Sequence, residues 1–249
     1  MAPEARLDAG HGLVDDAFLQ HVEEHLAHEW LDAVRASLSL DPLADRRAAI
    51  RLDAILEGLE ARGSLVHPHE LLEVFRGRRV TVVAAGECVE QEPVPGGSDL
   101  LVAADGATSV ILELAGTCPD IIVSDLDGVI EDILRCSRLG SIVVVHAHGD
   151  NVWLVEDIVP SLGRVAGTVQ ARIYSSRVLQ VPGFTDGDRA VWLSLVGGAA
   201  SVRVVGWCPG RRQHPLSKRL HNPLKKRKLV IGEVFLRLAG ATGRVQVRG

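Results

Sequence analysis

The 249-residue sequence has few aromatic side chains, few cysteines and no long apolar run. No stretch approaches the roughly 20 consecutive apolar residues that a membrane-spanning helix needs. The first residues are acidic and lack the cationic-then-apolar order of a secretory signal. We therefore expect a soluble, cytoplasmic protein without a membrane partner. The sequence has only four Trp, four Phe and one Tyr, and no cluster of aromatic residues indicates a binding site for a ring-shaped ligand.

Cysteine is scarce, and its four positions are widely scattered along the chain, at residues 88, 118, 136 and 208. Since no C-x-x-C pair occurs, neither a zinc ribbon nor a disulfide framework is indicated. We predict four buried free thiols in a reducing cytosol.

Lysine is confined to one segment, because all four Lys lie between residues 218 and 228. Residues 211–228 carry eight basic side chains and no acidic one, whereas the whole chain has a net charge of −5. Two interpretations stay open: a lid whose Lys218 or Arg219 clamps a triphosphate, and a solvated surface. Without interleaved aromatic residues, the segment does not favour a nucleic-acid partner.

Apolar residues recur at spacings of three and four through residues 13–75, which predicts helices. We assign residues 1–77 to an N-terminal helical region, a cap or partner surface without a chemical constellation. Short β-branched runs then alternate with helical segments that often end at Gly. The strand-like runs are 80–85, 100–104, 121–124, 142–145 and 202–207.

Strands that are apolar on both faces and separated by helices imply a parallel sheet covered on both sides. We predict an α/β fold: an open, doubly wound, mostly parallel sheet with helices on both faces, preceded by the helical region. Residues 78–249 would form the catalytic domain, ending in a basic loop and a helix over about 224–239. About six strands are recognisable, fewer than the eight units of a TIM barrel.

Polar residues follow the predicted strands at their carboxyl ends, where open α/β sheets bind ligands. They are Asp105 after the second run, Asp125 and Asp127 after the third, His146, His148, Asp150 and Asn151 after the fourth, and later Thr185, Asp186, Asp188 and Arg189. So many carboxylates on one rim would repel one another unless cations offset them. Magnesium with a phosphate-bearing substrate supplies that compensation.

Two of these motifs have other interpretations. The sequence Asp125-Leu126-Asp127-Gly128 resembles the nucleophile motif of haloacid dehalogenase-type phosphatases, but there the motif follows the first core strand, and here at least two strand-like runs precede it. The H-x-H-x-D motif resembles the start of a metallo-β-lactamase zinc site, which continues with His where this chain has Asn151. A solvated turn and a structural histidine also remain open.

Five motifs together resemble those of the archaeal 6-hydroxymethyl-7,8-dihydropterin pyrophosphokinases of the MptE type, which are distantly similar to thiamine pyrophosphokinases. The motifs are A-A-D-G-A (103–107), P-D-I-I-V-S-D-L-D-G (119–128), H-A-H-G-D-N (146–151), G-T-V-Q (167–170) and G-F-T-D-G-D-R-A (183–190). The resemblance covers roughly residues 78 to 240. It implies a magnesium-dependent transfer of a diphosphoryl group from ATP to the hydroxymethyl oxygen of a pterin, with AMP leaving. The implied pathway makes tetrahydromethanopterin or a related archaeal pterin, and self-association is a further expectation.

The resemblance and the strand-end positions lead to residue roles. Asp125 and Asp127 are expected to hold magnesium on the ATP phosphates, with Asp105 as a further ligand. His146 and His148 would contact phosphate or assist the hydroxyl proton. Asp150 and Asn151 would orient these imidazoles or bind substrate. The remaining candidates for binding nucleotide or pterin are Thr168, Gln170, Thr185, Asp186, Asp188, Arg189 and Lys218.

One segment departs from the family pattern. Relatives carry a Gly-Pro-Ser type of loop after the first strand, where this chain reads Ala-Gly-Glu-Cys-Val-Glu at 85–90. Glu87 would repel phosphate, so no phosphate contact is assigned to this loop. A thiamine pyrophosphokinase-like enzyme, a metal-dependent phosphohydrolase and a nucleotide-binding interaction module remain the alternatives.

Overall fold

A computed structural model describes residues 30–92, 98–208, 210–217 and 223–247. In these ranges, eight strands form one sheet in which every neighbouring pair is parallel. The strands are β1 (Arg79–Val83), β2 (Leu100–Ala104), β3 (Ile121–Ser124), β4 (Ile142–Ala147), β5 (Arg164–Val169), β6 (Val178–Leu179), β7 (Ser201–Val205) and β8 (Val245–Val247). Their order across the sheet is β6-β5-β4-β3-β2-β1-β7-β8.

Helices cover both faces of the sheet. They are α1 (Leu31–Ser37), α2 (Pro42–Glu60), α3 (Pro68–Phe75), α4 (Ala107–Ala115), α5 (Ile130–Arg138), α6 (Val152–Ile158), α7 (Asp186–Val196) and α8 (Pro223–Gly240). Helices α1, α3, α7 and α8 share a core with one face, whereas α2, α4, α5 and α6 pack on the other. None of the helices in the described ranges is long and apolar enough to cross a membrane.

The predicted α/β architecture is confirmed, and the sheet is parallel throughout rather than mostly parallel. The five strand-like runs and the C-terminal helix lie within about two residues of their predicted bounds. The expected count of about six strands was too low, because β5, β6 and β8 lack a continuous β-branched run. In β5, Gly167 interrupts the pattern because α2 crosses there, where a Cβ would lie 2.5 Å from the Cδ1 atom of Leu56.

The strand order reverses once, and this reversal locates the cleft described below. From β1 to β6 the chain adds strands in one direction, and it then returns through α7 to pair β7 with β1. The carboxyl ends of β1 and β7 are therefore the topological switch point, where open α/β sheets leave a crevice for ligands.

Helix α2 shares a hydrophobic core with one face of the sheet. It starts at an N-cap, Asp41, whose side chain accepts a hydrogen bond of 2.9 Å from the Leu43 N–H. Its residues Leu52, Leu56 and Leu59 are buried in one cluster with side chains of β3, β4 and β5. The helical prediction is confirmed for the described residues up to 75, and its part over 13–29 lies outside them. The boundary at residue 77 stays a prediction.

The prediction of four free thiols was wrong. Disulfides join Cys88 to Cys208 and Cys118 to Cys136. Sequence separations of 120 and 18 residues hide the pairing, but Cys88 and Cys208 follow the neighbouring strands β1 and β7, so the fold brings them together. Cysteine usage therefore gives no support to a reducing compartment.

The packing of α2 predicts that Leu56→Ala lowers the free energy of unfolding by about 2–5 kcal/mol, because it opens a cavity beneath the sheet. Leu43→Ala on the same helix is the matched control: Leu43 is 65% exposed, and its change should stay within about 0.5 kcal/mol. Denaturant unfolding of both variants measures this. If α2 were a separate module, Leu56→Ala would leave the main transition where it is.

Candidate active site

A cleft lies along the carboxyl ends of the strands, from the switch point to β5. The starts of α2 and α7 and one side of α8 complete its walls. Ten of the predicted site residues line it: Asp105, Asp125, Asp127, His146, His148, Asp150, Gln170, Thr185, Asp186 and Arg189. Asn151, Thr168 and Asp188 lie behind its surface, and Lys218 lies outside the described residues.

Three carboxylates meet at the ends of β2 and β3. Asp105, Asp125 and Asp127 each offer an oxygen within 4.8 Å of the others, and they are the one such group among the described residues. Asp105 (φ 44°) and Leu126 (φ 68°) both have left-handed backbone conformations, which Asp and Asn adopt more readily than Leu, for which they are costly. The turn buries the Leu126 side chain in the core and leaves the two flanking carboxylates at the cleft.

Asp105 is held by the strand beside it. Its Oδ1 atom accepts hydrogen bonds from the Ser124 hydroxyl at 2.6 Å and from the Gly128 N–H at 3.2 Å. A Cβ at residue 128 would lie 2.6 Å from the Asp105 Oδ2 atom, so any side chain there would push this carboxylate away. Burial, followed by the charges of Asp125 and Asp127, raises the pKa of Asp105 to about 8.

Asp186, the first residue of α7, joins the same electrostatic cluster. Burial raises its pKa well above the ordinary value, and the charges of Asp125, Asp105 and Asp127 add to the effect. Four carboxylates at one cleft cannot all be ionised cheaply without a cation. Carboxylate oxygens are also the ligands that magnesium prefers, so the residues present fit that ion.

His148 contacts this cluster through Asp125. Its Nε2 atom lies 3.3 Å from the Asp125 Oδ2 atom, and its Nδ1 atom accepts a hydrogen bond of 3.3 Å from the Asp150 N–H. Burial opposes ionisation of Asp125, but the hydrogen bond with His148, together with the Asp127 N–H and the charge of Lys228, outweighs it and lowers the pKa of Asp125. This pattern places the ring proton on Nε2, facing the carboxylate.

His146 is buried, and both of its ring nitrogens have protein partners. Nδ1 lies 3.1 Å from the Thr168 hydroxyl, which in turn donates to the Val145 carbonyl, and Nε2 lies 2.9 Å from the Gln170 amide nitrogen. Burial, then nearby cationic groups beginning with Arg189, lowers the pKa of His146 well below its usual value. His146 is thus a neutral imidazole whose hydrogen bonds fix Thr168 and Gln170, rather than a side chain free to contact phosphate.

Asn151 holds the ends of two strands together. Its buried amide donates 2.8 Å hydrogen bonds to the backbone carbonyls of Asp125 and His146, and its Oδ1 atom accepts one from the His148 N–H at 2.9 Å. It therefore fixes the backbone on both sides of the His148–Asp125 contact. These contacts are to the backbone of His146 and His148, so the expected role of Asn151 in orienting the imidazole rings stays a prediction.

The start of α7 uses two predicted site residues for its own structure. Asp188 is fully buried in a capping box, where it accepts hydrogen bonds from the Phe184 and Thr185 N–H groups at 2.6 and 2.8 Å. Arg189 is also buried, and it donates to the carbonyls of Val181 and Gly183. Asp188 is thus not on the acidic rim, because two helical positions turn it away from Asp186.

Several cleft residues were missed by sequence reasoning. Arg211, Arg212 and Lys228 line the same cleft as the carboxylates, and the charge of Lys228 helps to lower the pKa of Asp125. The basic segment 211–228 was the sequence signal for these three residues, but the prediction named Lys218 as its nucleotide contact. No sequence signal marked Asp45, which reaches the cleft from α2. Glu87, whose charge had argued against a phosphate site, is not among the lining residues.

Comparison with known proteins decides the family. The family described as 6-hydroxymethylpterin diphosphokinase MptE-like matches residues 62–207, more than half of the chain. This chain belongs to the MptE-like family. The curated proteins similar to it include 6-hydroxymethyl-7,8-dihydropterin pyrophosphokinases from Methanocaldococcus jannaschii (34% identity, 67% of this chain and 73% of the relative) and Pyrococcus furiosus (39% identity, 66% and 68%).

A third MptE-like relative of the same name, from Methanothermobacter thermautotrophicus, is 45% identical over 43% of this chain and 45% of its own length. Among solved structures, the MAf glycosyltransferase from Magnetospirillum magneticum AMB-1 aligns with 64% of this chain and 30% of that chain, at 14% identity and a TM-score of 0.39. So weak a likeness bears on neither fold nor function.

The raised pKa of Asp105 predicts a pH-dependent stability in metal-free protein. Because the folded pKa of about 8 exceeds the ordinary 3.8, the fold binds a proton that the unfolded chain releases, and stability is lost as pH rises from about 4 to about 8. Asp105→Asn keeps the Oδ1 acceptor and tolerates the backbone conformation. It should therefore be more stable than the wild type at about pH 9 by about 1–3 kcal/mol.

Denaturant unfolding in chelator at about pH 5 and about pH 9 measures this difference. Magnesium should restore the wild type at the higher pH and leave Asp105→Asn unchanged. Parallel stability curves for the two proteins would contradict the assignment of a raised pKa to Asp105.

Proposed function

We propose that this protein transfers a diphosphoryl group from ATP to the hydroxymethyl oxygen of 6-hydroxymethyl-7,8-dihydropterin and releases AMP. The observation that carries the proposal is the cluster of Asp105, Asp125 and Asp127 at the cleft of an MptE-like chain. Relatives at 34–45% identity bear the name of this pyrophosphokinase. The product would enter the biosynthesis of tetrahydromethanopterin or a related archaeal pterin.

In this proposal, Asp105, Asp125 and Asp127 hold magnesium, and Asp186 stands beside them. The ion would neutralise charge on the ATP phosphates and align them with the acceptor. Diphosphoryl transfer needs alignment and neutralisation of charge more than covalent help from the protein. The fixed turns around these carboxylates supply that alignment, because Ser124 and Gly128 hold Asp105 and the Leu126 turn holds its two neighbours.

The basic side chains give the triphosphate a second set of partners. Arg211 and Arg212 follow β7 at the switch point, and Lys228 projects from α8 into the same cleft. Cationic groups around a transferring phosphoryl group stabilise the charge that develops there. We therefore place the nucleotide phosphates between the carboxylates and these three residues, with the basic segment 211–228 acting as a lid.

His148 is the histidine proposed to handle the proton of the acceptor hydroxyl. His148 is partly exposed at the cleft, and its Nε2 atom contacts Asp125 of the proposed metal site. His146 is buried, with its nitrogens engaged by Thr168 and Gln170. Gln170 also lines the cleft and is a candidate contact for the pterin. Phe184 is a buried aromatic residue in the cleft wall, on which a ring could pack.

A product assay tests the proposed function. On incubation with ATP, magnesium and the hydroxymethyl-dihydropterin, the protein should form AMP only when the pterin is present. Separation of the nucleotide products measures this. Asp125→Asn should lower kcat by at least about 100-fold, because it removes a charge that no neighbouring group replaces. Asp157→Asn, an equal change at an exposed position of α6, is the matched control and should retain wild-type activity.

The alternatives give different products. ADP or free phosphate without pterin diphosphate would indicate a kinase or phosphohydrolase, and transfer to thiamine would indicate the nearest related enzyme. Nucleotide binding without turnover of any acceptor would support an interaction module. Each of these results would contradict the proposed function.

A further inference from the structure

The N-terminal helices are joined to the loop that carries the histidines. The Gly149 N–H, in the loop between His146 and Asn151, donates a hydrogen bond of 2.6 Å to the Asp45 Oδ1 atom of α2. This contact bridges 104 residues of sequence, and Asp45 lies outside the range that matches the family. The helical region therefore reaches the site, although its sequence shows no chemical motif.

Asp45 is in turn held by Arg35 of α1. The Arg35 Nη2 atom donates to the Asp45 Oδ2 atom, and both side chains are nearly inaccessible to solvent, at 3% and 8% exposure. Burial, only partly offset by the charge of Asp32, lowers the pKa of Arg35. A buried ion pair of this kind is costly to break, since removing one partner leaves the other charge without compensation. The carboxylate of Asp45 is thereby kept in one position beneath the loop.

The loop rests directly on α2 at the same point. A Cβ at Gly149 would lie 2.6 Å from the Ala44 Cβ atom and 3.3 Å from the Asp45 Oδ1 atom, so no side chain fits between them. The residue before Gly149 is His148, whose Nε2 atom faces Asp125 at 3.3 Å. Asn151 fixes this loop from inside the sheet, and Asp45 fixes it from the helical layer.

We propose that Asp45 is a positioning residue for the diphosphoryl transfer, anchored by Arg35, and that it sets the place of His148 against Asp125 through the Gly149 backbone. The effect on activity rests on the proposed function. The ordering of the loop does not, and it can be measured without substrate or metal.

The test compares two double variants, Arg35→Met with Asp45→Asn and Arg35→Met with Asp45→Ala. Both remove the buried ion pair, so neither leaves an unpaired buried charge; Asp32, which also contacts Arg35, is 73% exposed. Only the Asn variant keeps a side-chain oxygen to accept the Gly149 N–H. Since they differ by about one hydrogen bond, their thermal midpoints should lie within about 4 °C of each other.

The first readout is the hydrogen-exchange rate of the Gly149 amide, which NMR measures in metal-free protein. Exchange should be at least about tenfold faster in the Ala variant than in the Asn variant, because an amide that loses a hydrogen bond worth about 1.4 kcal/mol loses that factor of protection. Amides in β1 and β7, remote from α2, should exchange equally in both.

The second readout is the steady-state kinetics. The kcat of the Ala variant should be about 10- to 100-fold below that of the Asn variant, the usual effect of removing a partner that orients a site residue. The magnesium concentration giving half-maximal activity should also rise in the Ala variant. A purely structural role would lower the active fraction and leave that concentration unchanged.

The outcomes separate the two proposals. Equal Gly149 exchange in the two variants would overturn the positioning role of Asp45, whatever the reaction. Different exchange with equal kcat and equal magnesium dependence would also overturn it, since the loop would then be ordered without consequence for transfer. If the wild type transfers no diphosphoryl group to the pterin, the proposed function fails, and the exchange comparison still decides whether Asp45 orders the loop.

Discussion

Repulsion among carboxylates at the ends of two parallel strands is the constraint on which the rest of the site depends. Asp105 follows β2, and Asp125 and Asp127 follow β3, so pairing of these strands brings three acidic side chains to one point. Burial, followed by the charges of Asp125 and Asp127, raises the pKa of Asp105 at this point. In the proposed complex, a cation bound by these carboxylates would offset their repulsion. The basic residues that line the cleft fit the same proposal, because a phosphate chain would lie between the bound cation and these residues.

The surrounding structure holds this unfavourable arrangement in place. Left-handed residues at 105 and 126 aim the carboxylates outward, and a glycine at 128 leaves room for Asp105. Asn151 ties β3 to β4 through backbone carbonyls, and Asp45 supports the next turn from α2. Strained backbone persists where surrounding contacts determine it fully, and such strain is concentrated at functional sites. The sheet and the helical layer that includes α2 therefore together fix the positions of the carboxylate oxygens at the site.

The parallel sheet and most of the cleft residues could be predicted from the sequence. Runs of β-branched residues indicate buried parallel strands, and polar residues follow the carboxyl ends of these strands. Asp105, Asp125, Asp127, His148 and Asp186 were found in this way, and all line the cleft. Local sequence could not show that Asp188 would cap its own helix or that both nitrogens of His146 would be engaged, since both depend on side-chain partners brought by the fold.

Long-range contacts explain the remaining failures. The disulfide of Cys88 and Cys208 depends on β7 returning to pair with β1, and Gly167 hides β5 because a helix from the N-terminal region crosses it. Asp45 looks like an ordinary polar residue of an amphipathic helix until Gly149 is placed above it. In each case the deciding partner lies more than 100 residues away along the chain.

The most direct test of the central claim is a crystal structure with Mn²⁺ and a non-hydrolysable ATP analogue, in which anomalous scattering locates the metal. The account predicts a cation bonded to oxygens of Asp105, Asp125 and Asp127 and to the phosphates of the analogue. A cation bound only by the phosphates, or by side chains elsewhere in the cleft, would contradict it.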